Sequence, residues 1–310
     1  MGFWIFICIG VVFVLFMITF LYFMFKKNFI LKKKSKSEPY EVPQEILEKV
    51  KGKNGVMLDC GSEFNTKLIE EIYAIKDACN LNITIVFDYY KQEYQNLIAD
   101  VEPIEIKCLD NDIINLYKIV DKNDNKCYTF YFLSNKHIYA NPCSYYMFAH
   151  GLLCGEHSIK TIKFNNFNTS EVQLMIGMFV NCENIESLDL RGFDISNVYD
   201  MSCLFMYCSS LTNVNFPSLN TNNIINMRSQ FIDGLHLYES ECTDLEEIDL
   251  NGSNTQNVID MKDMFYGCPY SLCVTIDKSD TKNIKSADSM SEKCDNLKNT
   301  DLIILKSKDD

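Results

Sequence analysis

Apolar and polar positions alternate in three different ways along the chain. From Phe3 to Phe25 there are 23 residues and not one charge. As a helix rising about 1.5 Å per residue, such a run spans the roughly 30 Å hydrocarbon core of a bilayer with some tilt. A cleaved signal would be shorter, follow a basic start and end in small residues. The pattern therefore predicts a transmembrane anchor over 1–25 and a single-pass membrane localisation. Lys26, Lys27, Lys32, Lys33, Lys34 and Lys36 come directly after it in a basic juxtamembrane linker, 26–44. Basic residues at a membrane end favour the cytoplasmic side.

Residues 45–127 show a second pattern, that of a small α/β domain. Gly55–Asp59, Ile83–Asp88 and Ile104–Cys108 read as strands. Thr66–Cys79 and Tyr90–Asp100 between them carry helical spacing. A βαβαβ unit with a parallel sheet is expected. Such sheets bind ligands beyond the carboxyl ends of their strands. Asp59 and Asp88 fall there, with Cys60-Gly-Ser-Glu-Phe64 behind the first. This is the basis of an alternative function, a metal- or phosphate-dependent activity within 55–110. Neither G-x-G-x-x-G nor G-x-x-x-x-G-K-[ST] is present, and the Cys60 loop is followed by Lys67 rather than an arginine. Tyr128–Leu133 and His137–Tyr139 flank the turn residues Ser134-Asn-Lys136. They predict a β-hairpin over 128–158 that caps the C-terminal half of the chain.

The third pattern is a repeat. Phe179, Phe205 and Phe231 are 26 residues apart, and Phe265 comes after 34. Met175, Met201, Met227 and Met261 keep the same steps, as do Asn197, Asn223, Asn257 and Asn283. Val172, Val198, Ile224, Val258 and Ile284 form another column, and Cys182, Cys208, Gly234, Cys268 and Cys294 a further one. Each unit has a short alternating strand, such as Ser187-Leu-Asp-Leu190, then a polar turn. A stretch like Met201–Cys208 comes next, with Met201, Leu204, Phe205 and Cys208 on one face of a short helix. One such unit cannot bury its own apolar face and must stack on its neighbours.

The string Leu188-Asp-Leu-Arg-Gly-Phe-Asp-Ile-Ser-Asn-Val-Tyr-Asp-Met-Ser-Cys-Leu-Phe-Met-Tyr-Cys208 resembles the BspA-type leucine-rich repeat. It is similar, more narrowly, to the roughly 25-residue surface-protein repeat of Mycoplasma lipoproteins, a domain of unknown function. Asn254–Cys268 repeats the pattern. The resemblance implies a leucine-rich-repeat solenoid over 159–310, used for adhesion or protein binding and usually outside the cell. It implies no catalytic residues. The full expectation is thus an α/β chain: transmembrane helix, βαβαβ domain, then solenoid. The lysine flank favours a cytoplasmic solenoid and the resemblance a cell-surface one.

Charge sharpens the partner class. The chain carries 29 basic and 42 acidic residues, a net -13, and the basic surplus sits in the first 38 residues. A general nucleic-acid binder needs a basic face, so none is expected. Strand alternation turns Ser187, Asp189, Arg191, Asn213, Asn215, Glu247, Asp249, Asn251 and Asp277 outward, a polar and acidic strip suited to a basic or polar protein partner. The Asn column reads as turn residues bonding nearby backbone. Together with Phe179, Phe205, Phe231 and Phe265 it forms a structural ladder. The Cys column reads as small apolar packing, because Gly234 replaces one member. No metal and no cofactor are expected. The main reading is a non-catalytic, membrane-anchored repeat protein that binds macromolecules.

Overall fold

The computed structural model describes residues 41–75, 81–109, 111–149, 157–215, 223–229, 247–249, 257–262, 264, 273–275 and 285. Helix α1 (Gln44–Gly52) leads into strand β1 (Gly55–Met57), then helix α2 (Gly61–Tyr73) and strand β2 (Leu81–Tyr89). Helix α3 (Gln92–Ile98) precedes β3 (Ile104–Lys107), β4 (Ile113–Val120), β5 (Cys127–Ser134), β6 (His137–Tyr139) and β7 (His157–Phe164). The repeats contribute β8 (Ser187–Asp189), β9 (Asn213–Asn215), β10 (Glu247–Asp249) and β11 (Cys273–Thr275).

A five-stranded mixed sheet, in the order β3-β4-β5-β2-β7, organises the first part. Its centre is β2, parallel to β5 on one side and to β7 on the other. A central strand is covered on both faces, which is why Leu81, Ile83, Ile85, Val86 and Phe87 are all buried. Helix α2 lays Phe64, Leu68 and Ile72, one face at helical spacing, on this sheet. Phe64 meets the rings of Phe87, Phe132 and Phe148 at centroid distances of 6.0, 5.4 and 6.1 Å.

The expected architecture is corrected at several points. Strand β1 pairs in parallel with β6 and not with β2. Strand β3 runs antiparallel to β4, so the parallel βαβαβ unit does not form. The reason is local. The Cys108 amide bonds to the Asp112 carbonyl at 2.8 Å, and Asn111 takes a left-handed φ of 62°, which turns the chain straight back into β4. No room is left for a crossover. Strands β5 and β6 do not form the expected hairpin either. Both edges of β5 are taken, by β4 and β2, so β6 turns away to β1. Among the described residues no helix is long and apolar enough to cross a membrane. The expected transmembrane helix and single-pass localisation are therefore not supported, and Phe3–Phe25 itself lies outside the described residues.

The helical half of the repeat is a further correction in the two units described in full, and with it the leucine-rich solenoid. Met175–Cys182 and Met201–Cys208 are not α-helices but chains of overlapping turns. Amides of Met178, Val180 and Cys182 bond three residues back, to Met175, Gly177 and Phe179. Amides of Met175, Gly177, Phe179 and Asn181 instead bond forward to the carbonyls of Asp200, Ser202, Leu204 and Met206, at 2.8–3.0 Å. Left-handed residues recur in step: Gly177, Cys203 and Ser229 at φ 57–58°, and Asn181 and Tyr207 at 61° and 65°. An α-helix admits no such residues in its interior. Among the described residues the repeat strands are three residues long and pair as β8-β9 and β10-β11. Single parallel bridges join the turn segments: Leu174 to Asp200, Asp200 to Asn226, Asn226 to Asp260. One apolar core nevertheless runs from Val56 through Phe148 and Phe179 to Met264.

Candidate functional site

Strands β8 and β9 present a regular outer row. Leu188 is buried between exposed Ser187 and Asp189, and exposed Asn213 and Asn215 flank half-buried Val214. The parallel register sets Ser187 beside Asn213 and Asp189 beside Asn215. Exposed Arg191 lies over Asp189 in a two-pronged pair, Nε to Oδ1 at 2.9 Å and Nη2 to Oδ2 at 2.6 Å. That guanidinium holds the Asp189 carboxyl down at about 2. The β8 end of the strip is therefore charge-paired rather than plainly acidic. Glu247 and Asp249 sit in β10, in register with Cys273 and Thr275. Asn251 and Asp277 lie outside the described residues.

The ladder columns bind one unit to the next. Asn197 donates its side-chain amide to the Ser170 carbonyl at 2.7 Å, and Asn223 does the same to Ser196. Exposed Asn257 keeps its place before buried Val258, whereas Asn283, Phe231 and Phe265 lie outside the described residues. Phe179 stacks between Phe148 and Phe205, at centroid distances of 5.6 Å on each side and interplanar angles of 15° and 7°. The Cys column does more than fill space. The Cys182 thiol donates to the Phe148 carbonyl at 3.2 Å, and Cys208 to Phe179 at 3.1 Å. Glu171, which breaks the Asn column in the first repeat, also has a partner: it is buried and accepts Lys49 of α1 at 2.6 Å.

Asp59 and Asp88 are not brought into one site. Asp59 is ion-paired with Lys67, which lies in the second turn of α2. Asp88 is buried at 1% exposure and accepts Lys91 at 2.7 Å, Tyr94 at 2.7 Å and Asn165 at 2.8 Å. Burial pushes its carboxyl up, but these bonds and the Tyr89 amide outweigh that and hold it below the ordinary range. Each carboxylate is thus committed to its own cation. Among the described residues no group of three or more His, Cys, Asp or Glu is placed to hold a metal ion.

One arrangement has no counterpart in the sequence patterns. Cys60 sits at the N-cap of α2, and its carbonyl receives the amides of Glu63 and Phe64 at 3.0 Å. Its sulfur faces the thiol of Cys143, which is 83 residues further along the chain and buried. The Ser62 hydroxyl is 3.4 Å from the same sulfur and donates to Tyr145 at 2.9 Å. Nothing local in the sequence announces this pairing.

Units of 26 residues bonded rung to rung define a repeat protein. The family described as "Mycoplasma protein of unknown function, DUF285" matches residues 150–239 and 235–304, which together take in half of the 310 residues. The chain belongs to that family. No curated protein and no solved structure matches it.

Proposed function

We propose that the chain is a non-catalytic binding protein that takes a basic or polar protein partner along the outer row of its repeat strands. The observation that supports the reading most is the register of β8 and β9, which lines up exposed polar side chains from successive units. Rows about 4.8 Å apart, the spacing of neighbouring strands, make a flat ladder of side chains for a partner surface to lie on. The likeness of Leu188–Cys208 to the BspA-type surface repeat supports it too, since that resemblance implies adhesion or protein binding. Charged side chains along such a strip speed encounter and select partners more than they add raw affinity.

The test is direct. Binding of the full chain to immobilised polylysine and to a set of basic proteins is measured by interferometry at physiological salt. The triple variant Asp189→Lys, Glu247→Lys, Asp249→Lys is expected to bind roughly tenfold or more weakly, through a slower on-rate. Unchanged binding by the triple variant would remove this surface from consideration.

A further inference from the structure

We propose that Cys60 and Cys143 form a thiol-exchange site for low-molecular-weight disulfides, with Cys60 as the attacking sulfur and Cys143 as the resolving one. The site goes beyond partner binding and lies on a different part of the molecule, between the start of α2 and the turn after β6.

The fold holds the two sulfurs together by bonds that leave little slack. The Leu58 amide donates to the Tyr139 carbonyl at 3.0 Å, and Asn141 returns its side-chain amide to the Leu58 carbonyl at 3.1 Å. The same Asn141 accepts the Cys143 amide at 2.9 Å. The Gly61 amide then closes on the Cys143 carbonyl at 2.8 Å. Only glycine permits that approach: a Cβ on Gly61 would lie 2.4 Å from the Tyr145 carbonyl oxygen and 2.6 Å from the Ser144 carbonyl carbon. Cys60 is half-buried and open to a small reagent, while Cys143 is 4% exposed behind it.

The chemistry of the pair is asymmetric. Cys60 stands at the positive end of a helix of 13 residues, where the Ser62 and Glu63 amides and the helix dipole favour a thiolate. The Cys143 thiol donates to it and, against the opposing effect of burial, holds the Cys60 thiol down at about 5, helped by Ser62 and the Glu63 amide. That same bond, with burial, pushes the Cys143 thiol far up. The Cys127, Cys182 and Cys203 thiols are all pushed up as well, Cys182 to about 12 and Cys203 to about 11 by burial. The repeat thiols of Cys182 and Cys208 are moreover committed to backbone carbonyls.

The steps balance. The Cys60 thiolate attacks one sulfur of R–S–S–R; the reagent's S–S bond breaks, Cys60–S–S–R forms and RS⁻ leaves. The Cys143 sulfur then attacks the Cys60 sulfur. Its proton passes to the departing R–S group, which leaves as RSH. Two protein thiols are oxidised by two electrons to one disulfide, and the reagent is reduced to RS⁻ and RSH.

The reduced full chain is pulsed with iodoacetamide at pH 6 and mapped by mass spectrometry. Cys60 is expected to be alkylated roughly tenfold or more faster than the half-buried Cys127. Incubation with oxidised glutathione is then expected to yield a Cys60–Cys143 linked peptide, reversed by reductant. Cys143→Ser is expected to stop at the Cys60–glutathione mixed disulfide, and Cys60→Ser to leave Cys143 untouched. Labelling of Cys60 no faster than Cys127, or a linkage that joins either sulfur to a different cysteine, overturns the proposal. A stable Cys60–glutathione adduct in the unmutated chain overturns the resolving role of Cys143. The first two measurements use the unmutated chain, so a variant that fails to fold leaves the test standing.

Discussion

A carboxylate taken out of water has to be bonded on every side, and Asp88 shows how that is done. Lys91 and Tyr94 come from the next few residues, and Asn165 reaches in from 77 positions away. These bonds hold its folded carboxyl below the unfolded value of about 3.9. The contribution of Asp88 to stability is complete above about pH 4 and is lost as the pH falls through the lower folded value. Asp88→Asn is expected to cost about 1–3 kcal/mol at pH 7 by urea unfolding, and the gap to the parent chain should close as the pH drops below about 4. A gap that stays constant down to strong acid would show that the charge is not what stabilises. The sequence marks Asp88 as a strand-end carboxylate, placed where a metal- or phosphate-dependent site is expected. Its use as an interior anchor depends on Asn165, whose proximity no local pattern reveals. The Cys60–Cys143 pair is hidden for the same reason.

Among the elements, the turn segments Met175–Cys182 and Met201–Cys208 replace expected helices. The spacing of Met201, Leu204, Phe205 and Cys208 is shared by a helix face and by a chain of overlapping turns, so periodicity alone cannot separate them. The signs are in the first unit, where Gly177 and Asn181 occupy the two left-handed positions. Cys203 and Tyr207 at the same places in the next unit conceal them. The columns themselves are legible, because each contact joins like positions of neighbouring units and so imposes like residues. Phe179 tests how much one rung carries. It is fully buried and stacked on both faces, so Phe179→Ala should cost about 3–5 kcal/mol in urea unfolding. A cost below about 1 kcal/mol would mean that the rungs close over the gap independently of one another.

Across the whole molecule, strands distant in sequence share one sheet. Strand β2 takes one neighbour from 127–134 and the other from 157–164. A fragment of residues 45–127 leaves both edges of β2 and the flanks of Ile83, Ile85 and Phe87 uncovered. It should therefore stay unfolded, whereas 41–215 should unfold in one cooperative step, both monitored by far-ultraviolet circular dichroism in urea. A cooperative transition in the shorter piece would contradict the shared core. Parallel pairing of this kind leaves no short-range trace, since the partner of each strand is set by the sheet and not by its sequence neighbours.

The forward bonds between turn segments join corresponding positions whatever length of chain runs between them. The Met201 amide reaches Asn226, and the Met227 amide reaches Asp260 across a longer stretch, at 3.1 and 2.9 Å. The stack counts rungs and not residues. An in-frame duplication of one unit would add a rung that its neighbours already fit, and an insertion between rungs would swell a loop without shifting the rest. A gene coding for such a chain can vary in length by copying and slippage while each product keeps a usable fold.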